Sequence, residues 1–236
     1  MKILIIIPAY NEAENIERVV SNIKDNFPQY DYVVINDCST DDTEKICADN
    51  GYNYISLPVN LGIGGGVQTG YLYAHNNNYD VAVQFDGDGQ HNPQYIERLL
   101  EPIKNAKADM VIGSRFIDKE GFQTSFMRRA GIGIIKLGIK LSCGADITDT
   151  TSGFRAANKE LISLFAKDYA QDYPEPEAIV ATVLNGYRVV EVPVIMNERT
   201  GGVSSINTLR SCYYMIKVSL ALFIYRLSIK RVKKHE

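Results

Sequence analysis

The chain contains 236 residues, of which 45% are hydrophobic and 22% are charged. This composition is typical of a soluble globular protein, and the length suits one large domain or one domain with an appendage. The formal net charge of −3 argues against a general nucleic-acid-binding protein, which is normally basic. The four cysteines have neither zinc-ligand spacing nor histidine partners, which indicates reduced thiols in a cytosolic protein. They are Cys38, Cys47, Cys143 and Cys212.

Apolar runs alternate with helix-period segments through the first half of the chain. The run at 3–7 predicts a strand buried on both faces, and Asn11 is predicted to cap the helix that follows. Repeated strand–helix units predict an α/β fold with a doubly wound, mostly parallel sheet and helices on both faces. Further strands are predicted at 32–35, 54–57, 81–85 and 110–112.

The second half of the chain is less regular. Helices are predicted at 127–142, 158–166 and 175–185, followed by a strand at 188–192 and a glycine-rich loop at 198–205. No linker, repeat or low-complexity tract interrupts this part, so residues 1–205 are predicted to form a single domain.

Polar residues follow three of the predicted strands at their carboxyl ends. Asn36-Asp37 ends the second strand, Asp86-Gly87-Asp88 ends the fourth and Gly113-Ser114-Arg115 ends the fifth. Ligands of open α/β sheets bind beyond the carboxyl ends of the strands, so this edge is predicted to form the functional site.

Asp86-Gly87-Asp88 is the sharpest local signal in the chain. Two neighbouring carboxylates repel each other unless a cation binds between them. Mg²⁺ or Mn²⁺ suits this arrangement, since one or two carboxylates bind the ion and substrate phosphates complete its shell. Gln90 is a further candidate oxygen ligand. The alternative is a polar β-turn, because Asp and Gly are common in turns.

Asp37 is a candidate for nucleobase binding, because a carboxylate can accept a hydrogen bond from an imide or amide N–H. The alternative is that Ser39 or Thr40 caps the next helix. Two common nucleotide motifs are missing, since the chain has no G-x-x-x-x-G-K-[ST] and residues 62–67 do not satisfy G-x-G-x-x-G. The glycines at 62–66 are predicted to let the backbone approach a ligand or a neighbouring helix, with a plain loop as the alternative.

Two later segments combine arginines with hydroxyl side chains and glycines. Residues 149–155 contain Asp149 and Arg155, and residues 199–204 contain Arg199 and Ser204. Arginine binds phosphate in two-point contacts, and glycine-flanked amides add donors. Each arginine alone is typical of a surface or ion-paired residue, but together they favour a diphosphate and a phosphate-bearing acceptor.

Five motifs occur in register along the chain. They are Pro8-Ala9-Tyr10-Asn11-Glu12, Asn36-Asp37-Cys38-Ser39-Thr40-Asp41, Asp86-Gly87-Asp88-Gly89-Gln90-His91, Gly113-Ser114-Arg115 and Thr151-Ser152-Gly153-Phe154-Arg155. Together they resemble the family 2 glycosyltransferases, near the dolichyl-phosphate mannose synthase and polyprenyl-phosphate hexosyltransferase branch, over roughly residues 1–205. The resemblance implies an inverting transferase of the GT-A fold that uses a nucleotide-diphosphate sugar and Mg²⁺ or Mn²⁺. Our interpretation is a hexosyltransferase with a UDP-sugar as its donor.

The resemblance also implies roles for individual residues. The residues implied for nucleotide binding are Pro8, Tyr10, Glu12, Asp37, Asp86, Arg199 and Ser204. Metal binding is implied for Asp86, Asp88 and Gln90, and catalytic roles for Asp88, Asp149 and Arg115. Two positions depart from the family pattern and leave base selectivity and diphosphate neutralisation open: Asn36 stands where an Asp is common, and Ser205 where a Lys is usual.

The acceptor has two interpretations. A polyprenyl phosphate is already anionic and scarcely needs a base, whereas a hydroxyl of a cell-envelope glycan needs one. Asp149 would position substrate in the first case and act as the base in the second. A third interpretation, from a different class, is a sugar-nucleotide-binding subunit without turnover that supports a membrane partner.

Residues 206–236 are predicted to form an amphipathic helix with a basic tail. The run of uncharged residues in this helix is too short to span a bilayer. The helix is therefore predicted to contact the inner, cytoplasmic face of the cell membrane or a small membrane protein. The alternative is packing on the domain or on a partner subunit, as in a homo-oligomer. The apolar side of this predicted helix consists of Leu209, Tyr213, Ile216, Leu220, Phe223 and Leu227.

Overall fold

The computed structural model describes residues 1–118, 126–197, 217, 218 and 221, with residues 126–130 described by their backbone alone. The predicted roles of Arg199 and Ser204 lie outside these residues. So does most of the predicted segment 206–236.

The described residues form a seven-stranded sheet flanked by helices, in the strand order β3-β2-β1-β4-β6-β5-β7. The strands are β1 (Ile3–Ala9), β2 (Asp31–Asn36), β3 (Tyr54–Ser56), β4 (Val81–Gln84), β5 (Met110–Ser114), β6 (Arg155–Asn158) and β7 (Val189–Pro193). The helices are α1 (Ile16–Asn26), α2 (Thr43–Asp49), α3 (Gly62–Asn76), α4 (Ile96–Lys104), α5 (Phe126–Cys143), α6 (Lys159–Lys167) and α7 (Pro174–Leu184), with a 3₁₀ turn at Pro93–Tyr95.

The predicted doubly wound, mostly parallel sheet is confirmed. β1 pairs in parallel with β2 and β4, β2 with β3, and β5 with β7. Every residue of β1 is buried, as expected for a central strand of a parallel sheet covered on both faces. This order brings the carboxyl ends of β1, β2 and β4 together at one edge.

β6 is a strand that the sequence did not predict. It lies antiparallel between β4 and β5, with Gln84 opposite Arg155. Its four residues, Arg-Ala-Ala-Asn, contain no β-branched or aromatic side chain, so local propensity gives no strand signal. The strand exists because the slot between β4 and β5 supplies hydrogen-bonding partners on both sides.

The predicted cap of the first helix is wrong. α1 begins at Ile16 with Asn15 at its N-cap position, whereas Asn11 has a φ of 55° in the left-handed region. The side chain of Asn11 instead accepts a hydrogen bond from the backbone N–H of Thr40, at 2.8 Å. Tertiary contact with the next loop therefore replaces the local capping box.

Each face of the sheet has its own apolar core. α1, α2 and α4 cover one face, with Ile16, Cys47 and Leu99 among their buried residues. α3, α5, α6 and α7 cover the other, and Val218 is buried among them. Among the residues that the structure describes, no helix has the length and apolar character needed to cross a membrane.

Candidate active site

The loops after β1, β2 and β4 line a cleft of about 670 Å³ at the carboxyl edge of the sheet. The N-terminal turn of α3 closes one side of this cleft. Six residues predicted for the site lie in its wall: Pro8, Tyr10, Glu12, Asp37, Asp86 and Asp88. The edge predicted from the strand ends is therefore where the structure forms its cleft.

The loops after β1 and β2 are fastened to each other. The backbone N–H of Asn11 donates to Ser39 Oγ at 3.0 Å, and that of Glu12 donates to Thr43 Oγ1 at 2.9 Å. Ser39 and Thr40 thus bind Asn11, and neither is the N-cap of α2, which is Asp42. The capping alternative for this segment is wrong.

Asp37 is buried at the base of the cleft. Its Oδ1 accepts a hydrogen bond from the backbone N–H of Leu61 at 2.7 Å, and its carbonyl oxygen accepts one from Asn60 Nδ2 at 3.0 Å. Tyr10 also lines the cleft, with 49% of its surface exposed. The Asp37 carboxylate is thus oriented by a backbone N–H, and an exposed aromatic ring lines the same cleft.

The glycines in the first turns of α3 have two separate functions. Gly62 and Gly66 line the cleft. A Cβ on Gly64 would lie 2.5 Å from Gln171 Cα, so this glycine lets α3 approach the segment that links α6 to α7. The close approach is therefore made to this linking segment and not to the predicted helix or ligand, and the plain-loop alternative is wrong because residues 62–66 open α3.

Asp86 is held by contacts from several directions. Its Oδ1 accepts a hydrogen bond from Gln84 Nε2 at 3.0 Å, and its backbone N–H donates to His91 Nδ1 at 3.0 Å. His91 Nε2 lies 3.6 Å from Asp86 Oδ2, and its ring stacks on Phe154 at 4.7 Å. Burial lowers the pKa of His91 to about 4, so this ring is neutral at pH 7 and accepts the amide hydrogen.

Two glycines let the backbone close around Asp86. The N–H of Gly87 donates to Pro8 O at 3.1 Å, and a Cβ on Gly87 would lie 3.0 Å from that oxygen. A Cβ on Gly153 would lie 2.6 Å from Asp86 Oδ2. His91 and Gly153 were within the quoted motifs, but the sequence assigned neither a part in holding Asp86.

Asp88 and Gln90 lie on the same loop, which is tied to the segment after β7. Asp88 Oδ1 accepts a hydrogen bond from the N–H of Gln90 at 3.0 Å, and Gln90 O accepts one from the N–H of Asn197 at 2.8 Å. No group of three His, Cys, Asp or Glu side chains that could hold a metal is found in the described part of the chain. Two carboxylates with an amide fit a Mg²⁺-type ion that takes its other ligands from phosphate and water.

Arg115 and Asp149 form a buried bidentate ion pair beside this loop. Arg115 Nε lies 2.7 Å from Asp149 Oδ2, and Arg115 Nη2 lies 2.7 Å from Asp149 Oδ1. The side chain of Asp149 is fully buried and that of Arg115 is 12% exposed. Both oxygens of Asp149 therefore face Arg115, and the pair leaves only the arginine in reach of solvent.

Arg155 links the loop before β6 to the start of α7. It is buried, its Nε donates to Ser152 O at 2.6 Å and its Nη1 donates to Glu175 O at 2.7 Å. Burial raises the pKa of the Glu175 carboxyl, and the charge of Arg155 opposes that rise. The sequence placed Arg155 among phosphate-binding candidates, but the structure makes it an internal support.

Comparison with known proteins identifies the family. Residues 4–165 match glycosyl transferase family 2. An undecaprenyl-phosphate mannosyltransferase of Micrococcus luteus is 30% identical, with 88% of each chain covered. A polyprenol monophosphomannose synthase of Mycolicibacterium smegmatis is 31% identical, over 92% of this chain and 85% of the relative.

A solved structure shares the fold. The glucosyl-3-phosphoglycerate synthase of Mycobacterium tuberculosis superimposes with a TM-score of 0.73 at 21% identity, covering 97% of this chain and 81% of that one. The same synthase has been crystallised with Mn²⁺, UDP and glucosyl-3-phosphoglycerate. The sheet order, the cleft and these matches together establish that the chain is a glycosyltransferase with the GT-A fold and belongs to glycosyl transferase family 2.

Proposed function

We propose that the chain transfers a hexose, with inversion, from a UDP-sugar to a polyprenyl phosphate. The observation that carries the proposal is the grouping of Asp37, Asp86 and Asp88 around one cleft, with Arg115 beside it. Acidic groups that bind a base and a cation, next to a guanidinium, suit a nucleotide diphosphate at one end and an anionic acceptor at the other.

The names of the relatives support a polyprenyl phosphate as the acceptor. Two of them are enzymes of undecaprenyl phosphate and polyprenol phosphate. A third, 32% identical over 81% of this chain, is a UDP-N-acetylglucosamine–dolichyl-phosphate N-acetylglucosaminyltransferase of Methanococcus voltae. That name, and the UDP and Mn²⁺ bound to the structural neighbour, support a UDP-sugar with a divalent metal.

In this proposal Asp37 accepts the imide N–H of uracil, while Pro8, Tyr10 and Glu12 line the nucleoside part of the cleft. The Leu61 N–H fixes the Asp37 carboxylate before the base arrives, and the Asn60 side chain holds the backbone carbonyl of Asp37. A carboxylate oriented in advance loses little side-chain freedom on binding, and this favours affinity.

Asp86, Asp88 and Gln90 would hold Mg²⁺ or Mn²⁺. When bound, such an ion offsets the negative charge that develops on the departing diphosphate. Hydrogen bonds hold both residues in place. Gln84 Nε2 donates to the Asp86 carboxylate, His91 Nδ1 accepts from the Asp86 backbone N–H, and the Gln90 backbone N–H donates to the Asp88 carboxylate.

Arg115 would contact the phosphate of the acceptor or donor, with Asp149 as the residue that positions it. Both Asp149 oxygens are occupied by Arg115, so accepting a proton from a sugar hydroxyl would require breaking the pair. This geometry favours an acceptor that is already ionised. The polyprenyl phosphate therefore ranks above the glycan hydroxyl.

Arg199 and Ser204 are proposed to complete the diphosphate site. Asn197, two residues before Arg199, is hydrogen-bonded to the loop that carries Asp88 and Gln90. Arg199 is therefore two residues in sequence from a contact with this loop, and this supports its proposed role.

The lipid acceptor places the enzyme at a membrane, and we propose a peripheral position at the cytoplasmic face. Of the segment 206–236, Lys217 pairs with Asp172 at 3.0 Å and Val218 is buried in the second core. These residues pack on the domain, which was the alternative interpretation of that segment. The basic tail beyond them is proposed to meet the anionic surface.

A transfer assay tests the proposed function. Purified protein is incubated with a labelled UDP-hexose, undecaprenyl phosphate in detergent and MnCl₂, and label in the organic phase is counted. Wild-type protein should yield lipid-linked label, and the Asp86→Asn/Asp88→Asn variant should yield none, while Asp49→Asn at an exposed end of α2 should behave as wild type. A parallel reaction replaces the lipid with a cell-envelope glycan. Label in the glycan product but never in lipid would overturn the proposal that the acceptor is a polyprenyl phosphate.

A thermal-shift screen tests the donor independently. A ligand at 100 times its Kd stabilises the folded state by about 2.7 kcal/mol. UDP with Mn²⁺ should raise the Tm, and GDP or CDP should not. A Tm increase with GDP alone would overturn the proposal that the donor is a UDP-sugar.

A further inference from the structure

Two polar residues are buried on neighbouring strands directly before Asp86 and the loop that follows it. Gln84 and Arg155 stand opposite each other in the antiparallel pairing of β4 and β6, and each is 1% exposed. Residues at such positions project to the same face of a sheet, with Cβ atoms about 5 Å apart. Ala82 and Ala157, two residues away on the same strands, belong to the core under α3, α5, α6 and α7. Both polar side chains therefore enter that core.

The atoms that these two side chains leave without a partner are complementary. In the part of the chain that the structure describes, three buried side-chain atoms have no hydrogen-bond partner, and two of them are Gln84 Oε1 and Arg155 Nη2. The amide oxygen is an acceptor and the guanidinium nitrogen is a donor. Buried polar atoms are nearly always hydrogen-bonded, and leaving one without a partner is costly. Two such atoms on opposite residues therefore indicate one shared partner.

The remaining atoms of both side chains are already fixed. Gln84 Nε2 donates to Asp86 Oδ1 at 3.0 Å. Arg155 Nε donates to Ser152 O at 2.6 Å, and its Nη1 donates to Glu175 O at 2.7 Å. A planar amide can donate to a carboxylate with its nitrogen and accept from a guanidinium with its oxygen. Gln84 thus has the chemistry needed to connect Arg155 with Asp86.

We propose that one buried water bridges Arg155 Nη2 and Gln84 Oε1, and that Gln84 and Arg155 are positioning residues for Asp86 in metal binding. A buried water typically makes about three hydrogen bonds to groups that otherwise lack partners. The relay runs from the start of α7 through Arg155, the water and Gln84 to Asp86 Oδ1. This inference rests on the proposed function, in which Asp86 binds Mg²⁺ or Mn²⁺.

The relay acts on Asp86 in two ways. It fixes the orientation of the Gln84 amide, so that the nitrogen and not the oxygen meets the Asp86 carboxylate. The positive charge of Arg155 also polarises the bridge and the amide, and hydrogen bonds in such chains strengthen one another. Hydrogen-bonding partners of metal-binding side chains typically contribute 10–100-fold to metal affinity.

Three variants of the full chain test the relay. Gln84→Met keeps the length of the side chain without its polar atoms, and Arg155→Lys keeps the positive charge without the planar guanidinium. Thr182→Val is the matched control, because Thr182 is also buried and donates to Ala178 O at 2.7 Å within α7. Thermal melting reports whether each variant is folded.

Mn²⁺ binding is measured by electron paramagnetic resonance of the free ion, with UDP at a saturating concentration. Gln84→Met and Arg155→Lys should each raise the Kd for Mn²⁺ about tenfold, and Thr182→Val should bind as wild type. The double variant should also lose about tenfold, because its second change breaks a relay that is already cut. Independent contributions would instead multiply to about 100-fold.

A crystal structure of the protein without ligands tests the bridge itself, and should show one water within hydrogen-bonding distance of both atoms. A dry gap there, wild-type Mn²⁺ affinity in Gln84→Met, or a 100-fold loss in the double variant would overturn the inference. Should Arg155→Lys fail to fold, the comparison of Gln84→Met with Thr182→Val decides. Wild-type protein that binds no Mn²⁺ with UDP would count against the proposed function, and the crystal structure would still decide the bridge.

Discussion

Replacing Gly153 by alanine is the sharpest test of how the structure positions Asp86. The new Cβ would lie 2.6 Å from Asp86 Oδ2, 3.1 Å from Asp86 Oδ1 and 2.9 Å from Gln84 Nε2, whereas ordinary van der Waals contact begins at 3.4 Å. The carboxylate must therefore move by about 1 Å, because overlap of this size is not tolerated in a packed interior.

The Gly153→Ala substitution should lower activity more than it lowers stability. The atoms in the way are the ends of two side chains, which can rotate, so the expected loss of unfolding free energy is near the lower end for overpacking, about 1 kcal/mol. For a protein of this size that is a Tm decrease of about 2–4 °C. A displacement of about 1 Å in a group that positions the reacting atoms costs roughly 100-fold in rate.

Gly133→Ala is the matched control for this change. Gly133 lies in α5 and a Cβ there meets nothing within 4 Å. Alanine should stabilise the helix by roughly 0.5–1 kcal/mol and leave transfer unchanged.

The assay combines thermal melting with UDP-hexose turnover in MnCl₂ for both variants. Gly153→Ala should melt within a few degrees of wild type, lose about 100-fold in turnover and lose most of its Mn²⁺-dependent UDP shift. Wild-type turnover in Gly153→Ala would refute the reasoning, because it would mean that Asp86 acts from a position other than the one seen here.

Three further predictions follow from buried polar groups. Burial, followed by the carboxylates of Asp172 and Asp168, raises the pKa of Glu177 to about 7. The folded state therefore favours the protonated form of Glu177. The stabilisation that this preference gives the folded state is lost as pH rises from about 4.5 through 7. Since Glu177 is partly exposed, Glu177→Gln should be more stable than wild type by about 1–2 kcal/mol at pH 8 and equal at pH 4, by thermal melting. Asp149→Asn breaks a buried ion pair and should cost about 3 kcal/mol in urea unfolding. His91→Phe keeps an aromatic ring against Phe154 but leaves the Asp86 N–H without its acceptor, and should lower the unfolding free energy by about 1–3 kcal/mol.

Each of these three predictions would be contradicted by a particular result. A Glu177→Gln difference that is the same at pH 4 and pH 8 would show that the carboxyl does not titrate between those values. Asp149→Asn at wild-type stability would mean that Arg115 finds another counter-ion. His91→Phe with unchanged stability and turnover would show that the ring does not support Asp86.

The order of elements was readable from the sequence because each depends on local patterning. The apolar run of β1 and the helical period of α1 both reflect residues whose burial follows from strand or helix geometry. The location of the site followed from the same reasoning, since carboxyl ends of parallel strands share an edge.

What the tertiary structure alone decided is which groups face one another. β6 forms only because β4 and β5 leave a slot for it, and a four-residue strand without β-branched side chains has no local signal. Asp149 and Arg115 are 34 residues apart in the chain and meet in one ion pair, so the difference between a free base and a buried counter-ion could not be read from either motif. Local sequence determines how each segment folds, whereas the charge state and orientation of a buried group depend on neighbours that only the closed fold supplies.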